Sequence, residues 1–216
     1  MKQIKKIAII GGGGRTGQYI VSQLLEKGYP IRLLLRHPES FPLSDPLIEI
    51  IRGDVLDAHI VSELLQGCNA IISTVGQRKG EPLVASIATE NILHAIENQP
   101  VGSMSIRYIL LAGLNIDTPF DRKSPETQKA TDWMKMTFPY IHADRQKSYS
   151  ILQGSQVKWT LVRVPFIEFS EKRSELNVSL EDCLGSKISA ADIAGFMIAQ
   201  LTDDTYIRKA PFIAGM

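Results

Sequence analysis

Ala8–Leu25 reads AIIGGGGRTGQYIVSQLL: a short apolar run, four consecutive glycines, then apolar residues at helical spacing. Ile20, Val21, Leu24 and Leu25 fall on one helix face within Gly17–Lys27, whereas Lys6–Ile10 has the length and composition of a buried strand. Glycine loses more conformational freedom on folding than any other residue, so four in a row at a strand-to-helix turn need a reason. Two templates fit at once: Gly12-x-Gly14-x-x-Gly17 has the GxGxxG spacing, and Gly11-x-x-Gly14-x-x-Gly17 has the GxxGxxG spacing. After a strand and before a helix, such a turn aims backbone N–H groups and a helix dipole at a phosphate. The other reading is a glycine turn with a purely structural role.

The alternation continues outward from this turn. Gly28 closes the first helix in the C′ position. Strand-like runs at Ile31–Leu35, Ile48–Ile51, Ala70–Val75 and Arg107–Leu111 alternate with helical patterns at Ile60–Leu65 and from near Pro82 to Glu97. Repeated units of this length imply parallel strands joined by right-handed crossovers. The expected fold is therefore α/β: a doubly wound parallel sheet in three layers, with helices on both faces. Further on, Thr118–Tyr140 is polar and reads as an excursion with a short helix. His142–Gln153 is helical, Trp159–Val164 is a sixth strand, and Ala190–Leu201 is a late helix with Asp192 near its start. Phe169–Lys187 carries no periodicity that assigns it. No repeat or linker divides the chain, so residues 1–216 read as a single domain. Roughly 117–140 and 166–188 form a small substrate-side region within it.

A length of 216 residues is sufficient for a substantial core. A net charge of +1 gives no field that would recruit nucleic acid or an acidic membrane. The apolar stretch of the basic N-terminus stops at Gly11, short of the roughly 7–15 residues of a signal-peptide core. No run approaches the roughly 20 apolar residues of a membrane span. Cys68 and Cys183 stand in neither a CxxC nor a zinc-ligand spacing. The expectation is a cytoplasmic protein with reduced thiols and no metal, either monomer or homodimer.

A doubly wound sheet binds ligands beyond the carboxyl ends of its strands. The residues expected to hold a dinucleotide are Gly11, Gly13, Gly14, Arg15, Thr16 and Gly17 from the first turn, with others from the next strand ends. NAD-preferring sites carry an acidic residue about 20 positions past the glycines; here the second strand ends in Leu34-Leu35-Arg36, followed by His37. A guanidinium pairs well with a 2′-phosphate, so NADP (NADPH) is expected over NAD, with Arg15 as a second cation. The alternative leaves Arg36 as a solvated strand end. Asp54 either accepts from the adenine amino group, with Val55 as an apolar wall, or caps the next helix. Thr74, Val75 and Gly76, after Ser73, suit a loop beneath the nicotinamide ribose.

These pieces resemble an atypical short-chain dehydrogenase/reductase. The chain is most similar to the NAD(P)H-binding group that contains flavin reductase/biliverdin-IXβ reductase. The resemblance rests on IAIIGGGGRTGQYIVSQLLEKGY (7–29), LLLRHPESF (33–41), IIRGDVLD (50–57), AIISTVG (70–76), RYILLAGL (107–114) and WTLVRVPFI (159–167). It runs in order over roughly residues 4–200. It implies a Rossmann sheet with NADP across its carboxyl edge, and hydride transfer to a flavin, quinone or similar conjugated small-molecule electron acceptor.

The resemblance also has departures. Superfamily members place a serine after the fifth strand, then a Tyr-x-x-x-Lys pair whose tyrosine acts as general acid. Here Ala112 and Gly113 stand at the serine positions, Ile141 at the tyrosine and Arg145 at the lysine. Tyr140 and Lys147 are seven residues apart, not i, i+4 neighbours. His142 is the nearest imidazole, as a proton donor or a packing residue, and Arg145 could steady ribose hydroxyls or an anionic acceptor. Asn91 faces the sheet edge or solvent; Phe166 and Phe169 line an acceptor pocket or belong to the core. A non-catalytic dinucleotide sensor, like the related NmrA-type regulators, is the alternative function.

Overall fold

A computed structural model describes residues 4–78, 80–99 and 106–216; Met1–Gln3 of the basic N-terminal stretch lie outside them. β1 (Ile7–Ile10) enters the glycine turn and leaves it as α1 (Arg15–Glu26). Gly28 ends α1 at φ +74°, with its N–H donating to Leu25 O and that of Tyr29 donating to Leu24 O. These two bonds are the paired closure of a Schellman motif. β2 (Ile31–Leu35), β3 (Ile48–Arg52), α2 (Ala58–Leu65), β4 (Ala70–Ser73), α3 (Ala85–Glu97) and β5 (Arg107–Gly113) follow. β4 stops two residues earlier than expected, which frees Thr74 and Val75 for a loop.

Among the described residues the main sheet has eight strands. α4 (Pro125–Thr137) and α5 (Pro139–Gly154) lead to β6 (Lys158–Val164), and α6 (Ala190–Ala199) leads to β10 (Phe212–Gly215). β8 (Leu176–Ser179) completes the order β3-β2-β1-β4-β5-β6-β10-β8. β7 (Phe166–Glu168) and β9 (Lys187–Ser189) form a separate parallel pair. In the main sheet every pairing is parallel except β10 with β8. The chain order reverses between β1 and β4, which opens a crevice at the carboxyl ends of both.

Each face of the sheet is covered. Ile7, Ile9, Leu33 and Ile72 lie with α1 and α6 on one side; Ala8, Ile10, Ile71 and Tyr108 lie with α2, α3 and α5 on the other. Period-two alternation along β1 thus feeds two cores, so the strand reads as continuously apolar.

The second half departs from expectation. α4 is a full 13 residues, not a short helix: the Ser124 hydroxyl accepts from Thr127 N–H, Pro125 holds the first helical position and Glu126 adds first-turn charge. α5 starts at Pro139, three residues before His142. The unassigned Phe169–Lys187 contains β8, whose ladder with β10 supplies a pairing that local periodicity does not reveal. Arg163, fully buried on β6, binds this region together. It donates to Ala210 O (2.8 Å), Ile116 O (2.9 Å), Leu180 O (3.3 Å) and both Asp121 oxygens (2.8 and 3.0 Å), and stacks on Phe212 at 3.4 Å. Segments 117–140 and 166–188 meet through Arg122 N–H on Glu181 O and the Thr127 hydroxyl on Cys183 O.

Candidate dinucleotide site

The glycine turn is packed against itself before it meets any ligand. Gly11 has φ +83°, and a Cβ there would press on Thr74 Oγ1 (2.8 Å) and the Thr74 carbonyl carbon (2.9 Å). A Cβ on Gly17 would run into Gly11 O and stand 2.6 Å from Gly12 Cα; one on Gly12 would collide with the Leu33 side chain. Gly11 O accepts from Gly14 N–H (3.0 Å) and the Thr74 hydroxyl (3.1 Å). Gly11, Gly14 and Gly17, the GxxGxxG set, all border the crevice. Gly12 turns its Cβ position toward Leu33 of β2, and it does not border the crevice. No side chain caps α1, whose N-cap is Gly14, so the first-turn N–H groups open toward the crevice.

A cleft of about 580 Å³ occupies the crevice, a size usual for a small-molecule site. All twelve residues expected to hold the cofactor border it: Gly11, Gly13, Gly14, Arg15, Thr16, Gly17, Arg36, Asp54, Val55, Thr74, Val75 and Gly76. His142 and Arg145 do not border it. Gln77, Arg78, Glu81 and Phe169 also line it; the first three follow β4, where periodicity gives no signal. The Arg15 guanidinium lies 3.9 Å over the Phe169 ring, across the mouth. Phe169 is 40% exposed and Phe166 72% exposed, which excludes the core reading for both. Phe166 does not border the cleft.

Arg36 is not a solvated strand end. Its two terminal nitrogens donate to the two Glu81 oxygens at 2.7 and 3.1 Å, and Asp54 Oδ2 stands 3.6 Å away. The Glu81 hydrogen bond raises the guanidinium pKa above its ordinary value. Asp54 does not cap α2. Its Oδ1 accepts from Leu56 N–H (3.0 Å), while Asp57 is the cap, accepting from His59 and Ile60 N–H. That leaves Asp54 Oδ2 toward the cleft side, near Arg36. Asn91 faces neither the sheet edge nor solvent alone: its amide donates to Val55 O at 2.9 Å and holds the wall residue in place.

Beyond the carboxyl end of β5, Asn115, His142 and Arg145 occupy the positions at which the resemblance expects a serine, a tyrosine and a lysine or their neighbours. A Cβ on Gly113 would stand 2.5 Å from Asn115 Oδ1, so Asn115 fills the space of a serine side chain there. The Asn115 amide nitrogen donates to His142 Nδ1 at 3.0 Å, which leaves the ring hydrogen on Nε2. Burial, aided by Lys135, lowers the His142 pKa and favours that neutral ring. Arg145 donates to Val75 O (2.7 Å) and Leu111 O (3.4 Å), and burial lowers its pKa. Its charge is spent on tying the ends of β4 and β5 together. Asp144, a buried residue that sequence reasoning missed, accepts from Ala85 and Ser86 N–H (2.7 and 3.2 Å) and the Ser86 hydroxyl (2.5 Å). It caps α3 from a neighbouring helix.

The family model described as NAD(P)H-binding matches residues 11–204. This chain belongs to the NAD(P)H-binding family. That membership agrees with the resemblance to atypical short-chain reductases, and the matched span covers every residue bordering the cleft except Ile10. Solved structures share the fold. A short-chain dehydrogenase/reductase from Veillonella parvula in complex with NADP superposes with a TM-score of 0.79 at 14% identity, covering 98% of this chain and 95% of that one. ChuY, an anaerobillin reductase from Escherichia coli, superposes at 0.78 with 17% identity, covering 98% and 97%. Among curated relatives, a 3 beta-hydroxysteroid dehydrogenase/Delta 5-->4-isomerase of Mycobacterium tuberculosis is 26% identical over 146 residues. That match takes in 60% of this chain and 39% of the relative, so this member of the family spans about two-fifths of that protein. Among the described residues, no helix is long and apolar enough to cross a membrane, and no group of three His, Cys, Asp or Glu could hold a metal ion.

Proposed function

We propose that this chain is an NADPH-dependent reductase that passes hydride to a flavin, a quinone or a similarly conjugated small-molecule acceptor. The observation that carries the reading is the uncapped, glycine-lined start of α1 with Arg15 and Arg36 at its rim. In this reading the diphosphate lies against Gly13 and Gly14 and takes hydrogen bonds from the first turn, Arg15 to Gly17. Arg36, with Arg15, pairs with the 2′-phosphate. Val55 walls the adenine, and Thr74, Val75 and Gly76 underlie the nicotinamide ribose. A bound nicotinamide would supply a hydride; the residues of this chain would orient it.

The choice of acceptor follows from the proton. Reducing an isolated carbonyl creates an alkoxide that needs a donor or an oxyanion site. Ile141 offers neither, and Arg145 is already committed to two carbonyl oxygens. A flavin or quinone takes the hydride as a delocalised anion that water protonates, so holding the rings together is enough. ChuY, named for reducing anaerobillin, supports the same direction. Segments 117–140 and 166–188, with Phe169 at the cleft mouth, would form the acceptor side. Steady-state oxidation of NADPH with FMN or menadione tests the reading: turnover with either supports it, and tight NADPH binding without turnover on any acceptor overturns it. The second outcome would leave the dinucleotide sensor, which Ala112, Gly113 and Ile141 favour because a sensor needs no proton relay.

A further inference from the structure

The residue that meets Arg36 belongs to no motif read from the sequence. Glu81 lies in the turn after β4, 45 positions along the chain from Arg36, and reaches it across the cleft. The contact uses both carboxylate oxygens and both terminal guanidinium nitrogens, the same fork that a phosphate would engage. Its aim is built in. Gln77 Nε2 donates to the carbonyls of Arg78 (3.0 Å), Glu81 (3.0 Å) and Pro82 (3.1 Å), so one amide holds Glu81 and Pro82 beside Arg78. Gly80 supplies the left-handed residue at φ +77°, and Glu81 N–H donates to Arg78 O at 3.3 Å. Arg78 Nη1 stands 3.8 Å from Glu81 Oε1, so the carboxylate has a second cation on its own side of the cleft.

We propose that Glu81 sets the cofactor preference by occupying the 2′-phosphate seat on Arg36. The inference rests on the dinucleotide reading of the cleft. A 2′-phosphate and the Glu81 carboxylate compete for the same two donors, and like charge forbids them to share the guanidinium closely. NADPH therefore binds only after Glu81 lets go, keeping Arg78 as its partner. A 2′-hydroxyl makes no such demand, and the two carboxylates beside Arg36, Glu81 and Asp54, are acceptors for ribose hydroxyls. Arg36 alone would make a strongly NADP-selective site; Arg36 with Glu81 makes a site whose discrimination is held down.

The test uses two adenine nucleotides and no turnover. Calorimetry measures adenosine 2′,5′-bisphosphate and adenosine 5′-monophosphate on wild type, Glu81→Gln, Arg36→Met and the double variant, with NADPH on wild type. Glu81→Gln is expected to tighten the bisphosphate about fivefold, the upper range for a half-exposed ion pair, and to leave the monophosphate within about twofold. The gain should vanish when Arg36 is Met, because the competition is for that guanidinium. An unchanged ratio of the two affinities in Glu81→Gln, or a gain that survives without Arg36, overturns the role of Glu81 alone. Wild-type protein that binds neither nucleotides nor NADPH overturns the dinucleotide reading and this inference with it.

Discussion

Substituting Gly17 by Ala tests the claim that the first turn is fixed by its own packing. The added methyl would meet Gly11 O, Gly12 Cα at 2.6 Å and the Gly11 carbonyl carbon at 2.8 Å, all main-chain atoms that cannot rotate away. Overpacking of this kind costs about 1–3 kcal/mol, and a rigid neighbour pushes the cost upward. Moving Gly11 to make room also stretches the bonds its carbonyl accepts from Gly14 N–H and the Thr74 hydroxyl, each worth about 1 kcal/mol. The sum is about 3–5 kcal/mol, or a fall in melting temperature of roughly 6–20 °C for a domain of this size. Gly14→Ala, whose methyl would sit 3.2 Å from Gly11 O, should lose about 1 kcal/mol or less. Gly76→Ala lines the same cleft but meets nothing within 4 Å, so it should melt with wild type. Thermal unfolding followed by circular dichroism ranks the three. A Gly17→Ala protein that melts within 2 °C of wild type, on the order of 0.5 kcal/mol, would refute the reasoning.

Three further outcomes follow from the same geometry. Arg36→Met should weaken NADPH by about 5- to 30-fold relative to NADH, a charge-assisted pair worth about 1.5–3 kcal/mol offset by the lost Glu81 contact; competition binding with both cofactors measures the ratio, and equal losses would remove Arg36 from the site. Asp144→Ala strips the cap of α3 and leaves buried N–H groups of Ala85 and Ser86 unpaired, costing about 2–4 kcal/mol. Urea unfolding should show it, and a loss under about 0.5 kcal/mol would contradict the cap. The His142 pKa is lowered on folding, chiefly by burial, so the unfolded chain takes its proton more readily. The associated stability is full above the ordinary value of 6.5 and is lost as pH falls below it. His142→Asn should flatten that part of the stability profile, and identical slopes in the two proteins would count against the shift.

The first half of the fold was legible because βα units announce themselves locally. A buried parallel strand is an apolar run, its helix is periodic, and Gly28 marks the stop. The residues that line the cleft were legible for the same reason: they sit where strands end, a position given by the element pattern. α4 carried its start in Ser124-Pro125-Glu126, a capping signature that its polar composition obscured. β8 and β10 were not legible, since each is four residues long and held by distant pairings, β8 on β10 and β10 between β8 and β6. Arg163 hid a structural role behind a polar side chain on a central strand; its partners come from three distant segments, at Ile116–Asp121, Leu180 and Ala210. The partner of Arg36 is likewise a tertiary fact. The spacing of Gly11, Gly14 and Gly17 marks where a phosphate is expected, but only the tertiary contact of Glu81 shows which carboxylate stands on Arg36.

The central claim is that a nicotinamide dinucleotide lies on the bare main chain at the start of α1. Calorimetric titration of NADPH into the folded wild-type chain, repeated on Gly14→Val, tests it most directly. One-to-one saturable binding is expected for wild type, and its loss is expected for the variant. No heat with NADPH or NADH on folded wild type, or full affinity in a folded Gly14→Val protein, would contradict the claim.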